Sequence, residues 1–452
     1  MLYASDLVTQ YIPWYWITSQ YLHHFQLPVW VPNIYGSGYP LLAEGEIGTL
    51  SPINSLILFV FPFVWAINLL YLIYFLLAFF GSYFFLKINK LSSLSSSLGA
   101  LIFCLSGFMV TRYFQPSIIF TAALIPTGFF LIQKSISSPK LSLFIALLIY
   151  LEITAGHLQI ALISIIAYLA IAFFLLIGNK QWYKLSARIT LAVLLGLTLS
   201  AIQILPSLKL YQLSERKDFN PAIRFSYSLP PSQLITYLKP YAFGISKPGD
   251  DLGFRQFGGG FWEINLTIWT VPFLLSLVPL LVILKDPKNI IKKHKIIIIF
   301  YCLWVIFILI SLGGFFKPYR IVSHIPNFPF RAPARFTIIA AFCASALSAI
   351  GFSKITEKLK KPVQFLLFVA VIASIIIQQQ KLFQGYFNFK NSQEVEKTLQ
   401  NISSYQMATP LSLKENKSDL PATFQKEFEK GLVISLLGLI LLLGWYAKEK
   451  ST

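Results

Sequence analysis

Charge is what this sequence has least of. Only 12% of its 452 residues are Asp, Glu, Lys or Arg, whereas 56% are hydrophobic and the mean hydropathy is +0.66. So little charge cannot coat a soluble domain of this size, and the composition is that of an integral membrane protein. The alternating pattern of a membrane barrel is also missing. The apolar runs are continuous, and at about 1.5 Å of rise per residue they cross a hydrocarbon core of about 30 Å as helices. Cysteine is rare: Cys104, Cys302 and Cys343 all fall inside apolar runs. There a thiol packs as a small hydrophobe, so neither a disulfide framework nor a zinc site is offered.

What charge there is has one dominant sign, +19 net. Nucleic acid would need a basic face on a soluble module, and the sequence has none. The pattern predicts about eleven spans, near 64–88, 94–113, 117–134, 140–156, 159–177, 189–206, 264–284, 296–313, 335–352, 362–379 and 431–446. Lysines gather in alternate short turns, around Lys87 and Lys90, Lys134 and Lys140, Lys180 and Lys184, Lys285 to Lys295, Lys354 to Lys361, and Lys448 and Lys450. By the positive-inside rule those turns are cytoplasmic, as is the carboxyl terminus. They hold no Gly-rich phosphate loop, acidic cluster or paired histidines, which speaks against a nucleotide site there.

Segments 1–63, 207–262, 314–334 and 380–430 then face outward. The first has Asp6, Glu44 and Glu46 but no Lys or Arg. An outside amino terminus with no span before it points to a missing first helix, and to about twelve spans in the complete protein. The chain divides into a polytopic core at 1–380, a short polar segment at 381–430, and a final helix with its tail at 431–452.

Five stretches could carry chemistry. In SDLVTQYIPW, Asp6 and Gln10 are four apart and share a helix face; a catalytic carboxylate with a polar neighbour and a simple helix cap are both open. In YGSGYPLLAEGEIGTLSP, glycines allow a folded loop that would bring Glu44 and Glu46 near Asp6, or leave them solvated. EITAGHLQ interrupts two spans with a polar turn, where His157 and Gln159 could hydrogen-bond a substrate or merely close the turn. Arg216, Lys217 and Arg224 lie just beyond a span and could serve a ligand or lipid headgroups. In NFPFRAPARF, Pro329 and Pro333 stiffen a turn that presents Arg331 and Arg335. Two such guanidinium forks suit phosphate oxygens, with snorkelling to headgroups as the plainer reading.

Asp6-x-x-x-Gln10-x-x-Pro13, GYPLLAEGEIGTLSP, AGHLQ, AIQILPSL, the SLPP turn, Glu263 in GGGFWEINL and above all FRAPAR follow one another along most of the chain. In that order they resemble the bacterial YfhO-type membrane proteins, a branch that looks like the multi-span glycosyltransferases of the GT-C fold. The resemblance implies an all-α, GT-C-like membrane protein with folded outward loops and an extracytoplasmic active site. There a sugar would pass from a polyprenyl-phosphate donor in the membrane lipid to a glycan, lipid or protein acceptor of the cell envelope.

The essential acid of the first outer loop falls on Asp6, which would serve as general base with inversion at the sugar. Arg331 and Arg335, helped by Arg216 or Arg224, would hold the leaving phosphate, while Gln10, Glu44, His157, Gln159 and Glu263 would hold substrate. The single Asp6 is not the paired acid of metal-using members, so an obligatory metal is not favoured, a divalent metal stays open, and no other cofactor is expected. The missing first helix and the short 380–430 segment depart from the family's pattern. A flippase or transporter of lipid-linked intermediates, or a non-catalytic assembly protein, are the alternatives.

Overall fold

A computed structural model describes residues 2–3, 6–32, 34–36, 38–214, 224–245, 260–285, 290–325, 328–385, 388–389 and 419–451. Most of the polar segment at 381–430 therefore lies outside the described residues, as do Arg216 and Lys217. The architecture is helical. Strand pairing among the described residues amounts to Leu2–Tyr3 against Asn388–Phe389 and a single bridge between Val31 and Tyr39.

In chain order the helices are α1 (Ile12–His23), α2 (Leu41–Glu44), α3 (Pro52–Val60), α4 (Phe63–Ile88), α5 (Ser93–Cys104), α6 (Gly107–Thr111), α7 (Pro116–Ser137), α8 (Ser142–Thr154) and α9 (Leu158–Leu176). They continue as α10 (Trp182–Leu199), α11 (Ala201–Leu213), α12 (Phe261–Ile264), α13 (Thr270–Lys285), α14 (Ile290–Ser311), α15 (Lys317–Ser323), α16 (Thr337–Thr356), α17 (Lys361–Gly385) and α18 (Leu420–Ser451).

Eight helical stretches among the described residues are long and apolar enough to cross a membrane: Phe63–Ile88, Ser93–Thr111, Pro116–Ser137, Leu158–Leu176, Trp182–Leu199, Pro333–Thr356, Lys361–Phe383 and Leu420–Lys448. The other three of the eleven expected spans fall on shorter helices, α8, Thr270–Leu284 and Lys295–Ser311. With 13 residues, α8 rises about 20 Å, short of a core of about 30 Å. The turn that follows it is buried in protein.

Two expected boundaries differ. The run at 94–113 breaks between Cys104 and Gly107, where the Gly107 amide leaves the helix for the carbonyl of Thr267 at 2.7 Å. The run at 189–206 breaks at Ser200, whose hydroxyl turns back to the carbonyl of Gly196 at 2.7 Å, and α11 then continues to Leu213, into the segment expected to be loop.

Burial sorts the spans. In its most apolar window Pro333–Thr356 is 94% buried, against 17% for Lys361–Phe383 and for Leu420–Lys448, so α16 is the core and α17 and α18 pack at the rim. Small residues in TIIAAFCASALSAIGFS let α5, α13 and α14 approach it closely. Phe342 anchors the interior, its ring 5.1 Å from that of Phe129 and 5.3 Å from that of Phe103. The lysine-bearing turns sit at one end, where Lys295 Nζ donates to the carbonyls of Leu175 and Ile177 at the close of α9. At the other end the breaks in α5–α6, α8–α9 and the approach to α16 come together.

Candidate functional site

Two tight turns lock this second end. Gly156 has φ +116°, and a Cβ there would sit 2.7 Å from the carbonyl oxygen of Glu46. Gly48 answers it with φ +65°, 2.9 Å from the carbonyl oxygens of Thr154 and Ala155 by the same measure. Only glycine allows backbone to meet backbone this closely. Asn54 then closes the AEGEIG loop, giving its side-chain amide to the carbonyl of Ile47 at 2.8 Å and receiving the Tyr74 hydroxyl at 2.8 Å. The consequence is positional: Glu46 is fixed beside the turn that bears His157.

The FRAPAR turn is held just as firmly. Ala332 lies in the left-handed region at φ +49°, a conformation that a non-glycine residue keeps only where its surroundings enforce it. The enforcement is visible: the amide of Ala334 donates to the carbonyl of Tyr227 at 3.1 Å, and the SLPP segment is in turn bound to Ser311 and Gly314. The two arginines that flank Ala332 consequently point into different surroundings. Arg331 is exposed, and its carbonyl accepts from the side-chain amide of Gln159. Arg335 is buried.

Arg335 places Nη2 2.6 Å from Oε1 of Glu263 and Nε 3.1 and 3.2 Å from its two carboxylate oxygens. Arg112, fully buried beyond α6, donates Nη2 to Oε2 of the same carboxylate at 2.8 Å and lies 3.7 Å over the ring of Phe108. Both Glu263 oxygens are thus taken by arginines. Burial alone would raise this carboxyl; the two guanidinium groups outweigh it and hold it at about 2. Two arginines against one glutamate leave the triad with one net positive charge.

The remaining arginine nitrogen, Nη1, reaches His157 Nε2 at 3.1 Å and Gln159 Oε1 at 3.3 Å. His157 Nδ1 meanwhile caps α9 by accepting the Ile160 amide at 3.2 Å. Burial first, and then Arg335 and Arg331, hold this imidazole well below its usual range, so the ring is neutral. A neutral ring has one acceptor nitrogen, and here both nitrogens face an N–H.

The first segment supplies the acids. Residues Leu7–Tyr11 form a widened π turn before α1, a feature frequent at functional sites. From it Gln10 Nε2 donates to Glu46 Oε2 at 2.7 Å, and the Tyr11 hydroxyl donates to the same oxygen at 3.1 Å while lying 2.9 Å from Ser117 Oγ. Asp6 makes no side-chain cap bond, and its carboxylate meets the Gln115 amide at 3.5 Å. Glu44 accepts from the Tyr39 hydroxyl. Tyr227, whose carbonyl holds the Ala334 amide, feels charges of both groups. Its phenol is raised by burial first and then by Glu263 and Asp6, against the opposing pull of Arg335 and Arg331.

These elements enclose a cavity of about 890 Å³. Its lining combines His157, Gln159, Arg224, Arg331, Arg335, Glu44 and Glu46 with the apolar Leu158, Leu162, Leu208, Phe328 and Phe330, of which Leu158 and Leu208 are 42% and 48% exposed. Arg224 is steadied by the carbonyl of Ser323. Asp6, Gln10 and Glu263 are not part of this lining; Gln10 binds its Glu46 and Glu263 binds its Arg335. Among the described residues, no three of His, Cys, Asp and Glu gather as metal ligands would.

Arg112, Tyr11, Gln115 and Tyr227 stand with the candidate site and were not among the residues the sequence singled out for it, whereas Glu46 was named only as a carboxylate that its loop would bring near Asp6. One signal was available: Arg112 is an ionisable residue at the end of an apolar run, which by itself marks a polar centre.

No protein-family model matches the chain, and no curated protein does. A solved structure that it resembles is the apo form of the Archaeoglobus fulgidus oligosaccharyltransferase, at 14% identity and a TM-score of 0.48, over 90% of this chain and 57% of that one. The chain thus spans little more than half the length of that protein. A likeness this loose leaves function to the chemistry of the site.

Proposed function

We propose that the protein is a multi-pass membrane glycosyltransferase that moves a sugar from a polyprenyl-phosphate carrier to an extracytoplasmic acceptor, as the resemblance to the YfhO-type proteins implies. One observation carries the reading: the cavity is amphiphilic. Arg224, Arg331 and Arg335 in its lining suit an anionic head, and the exposed Leu158 and Leu208 in the same lining suit the hydrocarbon tail of the same molecule. In the scheme an acceptor hydroxyl attacks the anomeric carbon, the bond from that carbon to the phosphate oxygen breaks, and the phosphate leaves with the electron pair. Arg335, pre-set by Glu263, and Arg331 at the rim stabilise the charge that develops on the leaving group. Arg224 supports them. His157 and Gln159 orient Arg335 and the bound head.

The acceptor's proton passes to a carboxylate of the first segment. Two are available, Asp6, to which the resemblance gives the role, and Glu46. No metal enters this scheme, and the lysine distribution supports an outward-facing cavity in a cell membrane with the carboxyl terminus inside. A flippase of lipid-linked intermediates would use the same arginines and need no base; the carboxylate held by Gln10 and Tyr11 favours transfer.

The test is release of polyprenyl phosphate from polyprenyl-phosphate sugars by purified protein in lipid. Arg335→Lys and Arg331→Lys keep the charge but lose the planar fork, and each is expected to lower turnover, by about 10²-fold for Arg335→Lys. Wild-type turnover in both variants would show that neither arginine holds the leaving phosphate and remove the basis for a phosphate site.

A further inference from the structure

We infer that Glu46, rather than Asp6, is the catalytic base, an inference that rests on the transferase reading above. Three observations separate the two carboxylates. Glu46 lines the cavity with Arg331, Arg335 and His157, and Asp6 does not. Glu46 is also aimed. Gln10 at 2.7 Å and Tyr11 at 3.1 Å hold one oxygen, and Tyr11 is itself buried and braced by Ser117. Finally, the backbone of Glu46 is pinned by the interlock with Gly156, one residue from the His157 that touches Arg335. A base must keep its place relative to the leaving group, and this contact fixes one to the other.

The step balances without further reagents. The acceptor O–H gives its proton to the Glu46 carboxylate as its oxygen bonds to the anomeric carbon; the carbon–oxygen bond to phosphate breaks, and the phosphate leaves as the anion. Glu46 later returns the proton to water. Asp6, one turn before Gln10, is left as a positioning residue for the π turn that carries Gln10 and Tyr11.

The experiment uses the full chain in lipid nanodiscs, with a panel of polyprenyl-phosphate hexoses as donors. Two nucleophiles are compared: hydroxyl acceptors in membranes from cells lacking the protein, and azide, which attacks carbon without needing a base. Glu46→Gln is expected to lower transfer to hydroxyls by about 10²–10³-fold, to lose the acidic limb of the kcat/KM profile, and to keep its azide reaction within about threefold of wild type. Asp6→Asn is expected to lower both reactions together and to keep the acidic limb.

Hydroxyl transfer by Glu46→Gln near the wild-type rate would overturn the inference, as would equal loss of both reactions, which is the mark of a structural residue. A hydroxyl-specific loss in Asp6→Asn would give the base to Asp6 and leave the transferase reading standing. Wild-type protein inert towards every donor with either nucleophile would defeat that reading, and this inference with it.

Discussion

The two ends of the bundle carry the same sign of charge and hold it in opposite ways. At the lysine end Lys354 pairs with Glu357 at 3.3 Å, with side chains 39% and 49% exposed. At the arginine end Glu263 binds Arg112 at 2.8 Å and Arg335 at 2.6 Å, with no side chain more than 8% exposed. An exposed pair of the first kind contributes about 0–1 kcal/mol, because water and salt already solvate both partners. A buried cluster of the second kind gains little net stability, yet removing one member strands a charge away from water. The lesson concerns purpose. At one end charge only has to be present on that side of a bilayer; at the other it has to point, and a carboxylate buried between two guanidinium groups is what makes it point.

The largest effect should come from Glu263→Ala, which leaves Arg112 and Arg335 facing each other in the interior. A loss of about 3–5 kcal/mol is expected, seen as a large fall in thermal midpoint or as protein that does not fold. A midpoint near wild type would mean that the triad is wetter than the structure makes it, and the contrast between the ends would dissolve.

Next comes Gly156→Ala. The new Cβ meets the Glu46 carbonyl and the backbone stays at φ +116°, so about 1–3 kcal/mol should be lost. Turnover should fall with it, since the same contact sets Glu46 relative to His157. Full stability and activity in this variant would show that the two turns are not locked together.

Acid sharpens the comparison further. His157 is kept neutral in the folded protein, whereas the unfolded chain protonates it near pH 6.5. Below that pH the unfolded state binds the extra proton, so stability falls as pH drops from about 7 to 5, by at most about 1.4 kcal/mol per unit. Glu263 acts in the same direction lower down: its contribution is complete above its ordinary 4.5 and is lost as pH falls towards about 2. Thermal midpoints of His157→Gln should therefore be flatter between pH 7 and 5 and still fall below pH 4. An unchanged slope above pH 5 would place the origin of the acid sensitivity elsewhere.

The smallest effect belongs to the lysine end, where Glu357→Ala should change stability by about 0.5 kcal/mol or less. A loss comparable to that of Glu263→Ala would erase the distinction drawn here.

Much of the helical frame could be read from the sequence, because a run such as Phe63–Ile88 announces itself by length and hydropathy alone. The breaks could not. Nothing local in AIQILPSLKL says that α11 should carry on to Leu213, since what decides it is packing against α2 and α18. The site was legible in its outline, for AGHLQ and FRAPAR stand out as polar and proline-rich turns between apolar runs, and the structure brings both to one cavity. Its wiring was not. Arg112 and Glu263 are 151 residues apart and share no periodic signal. Glu44 and Glu46 look equivalent in LLAEGEIG, yet the left-handed turn at Gly45 sends one to Tyr39 and the other to Gln10 and Tyr11. Such choices are made by backbone geometry and distant partners, which spacing alone does not encode.

The meeting of the Gly48 and Gly156 backbones has a consequence for how the cavity could change over generations. Where two main chains touch, no side chain lies between them to be exchanged. New chemistry can enter this cavity through its lining residues one at a time, while the joint beneath them keeps its shape.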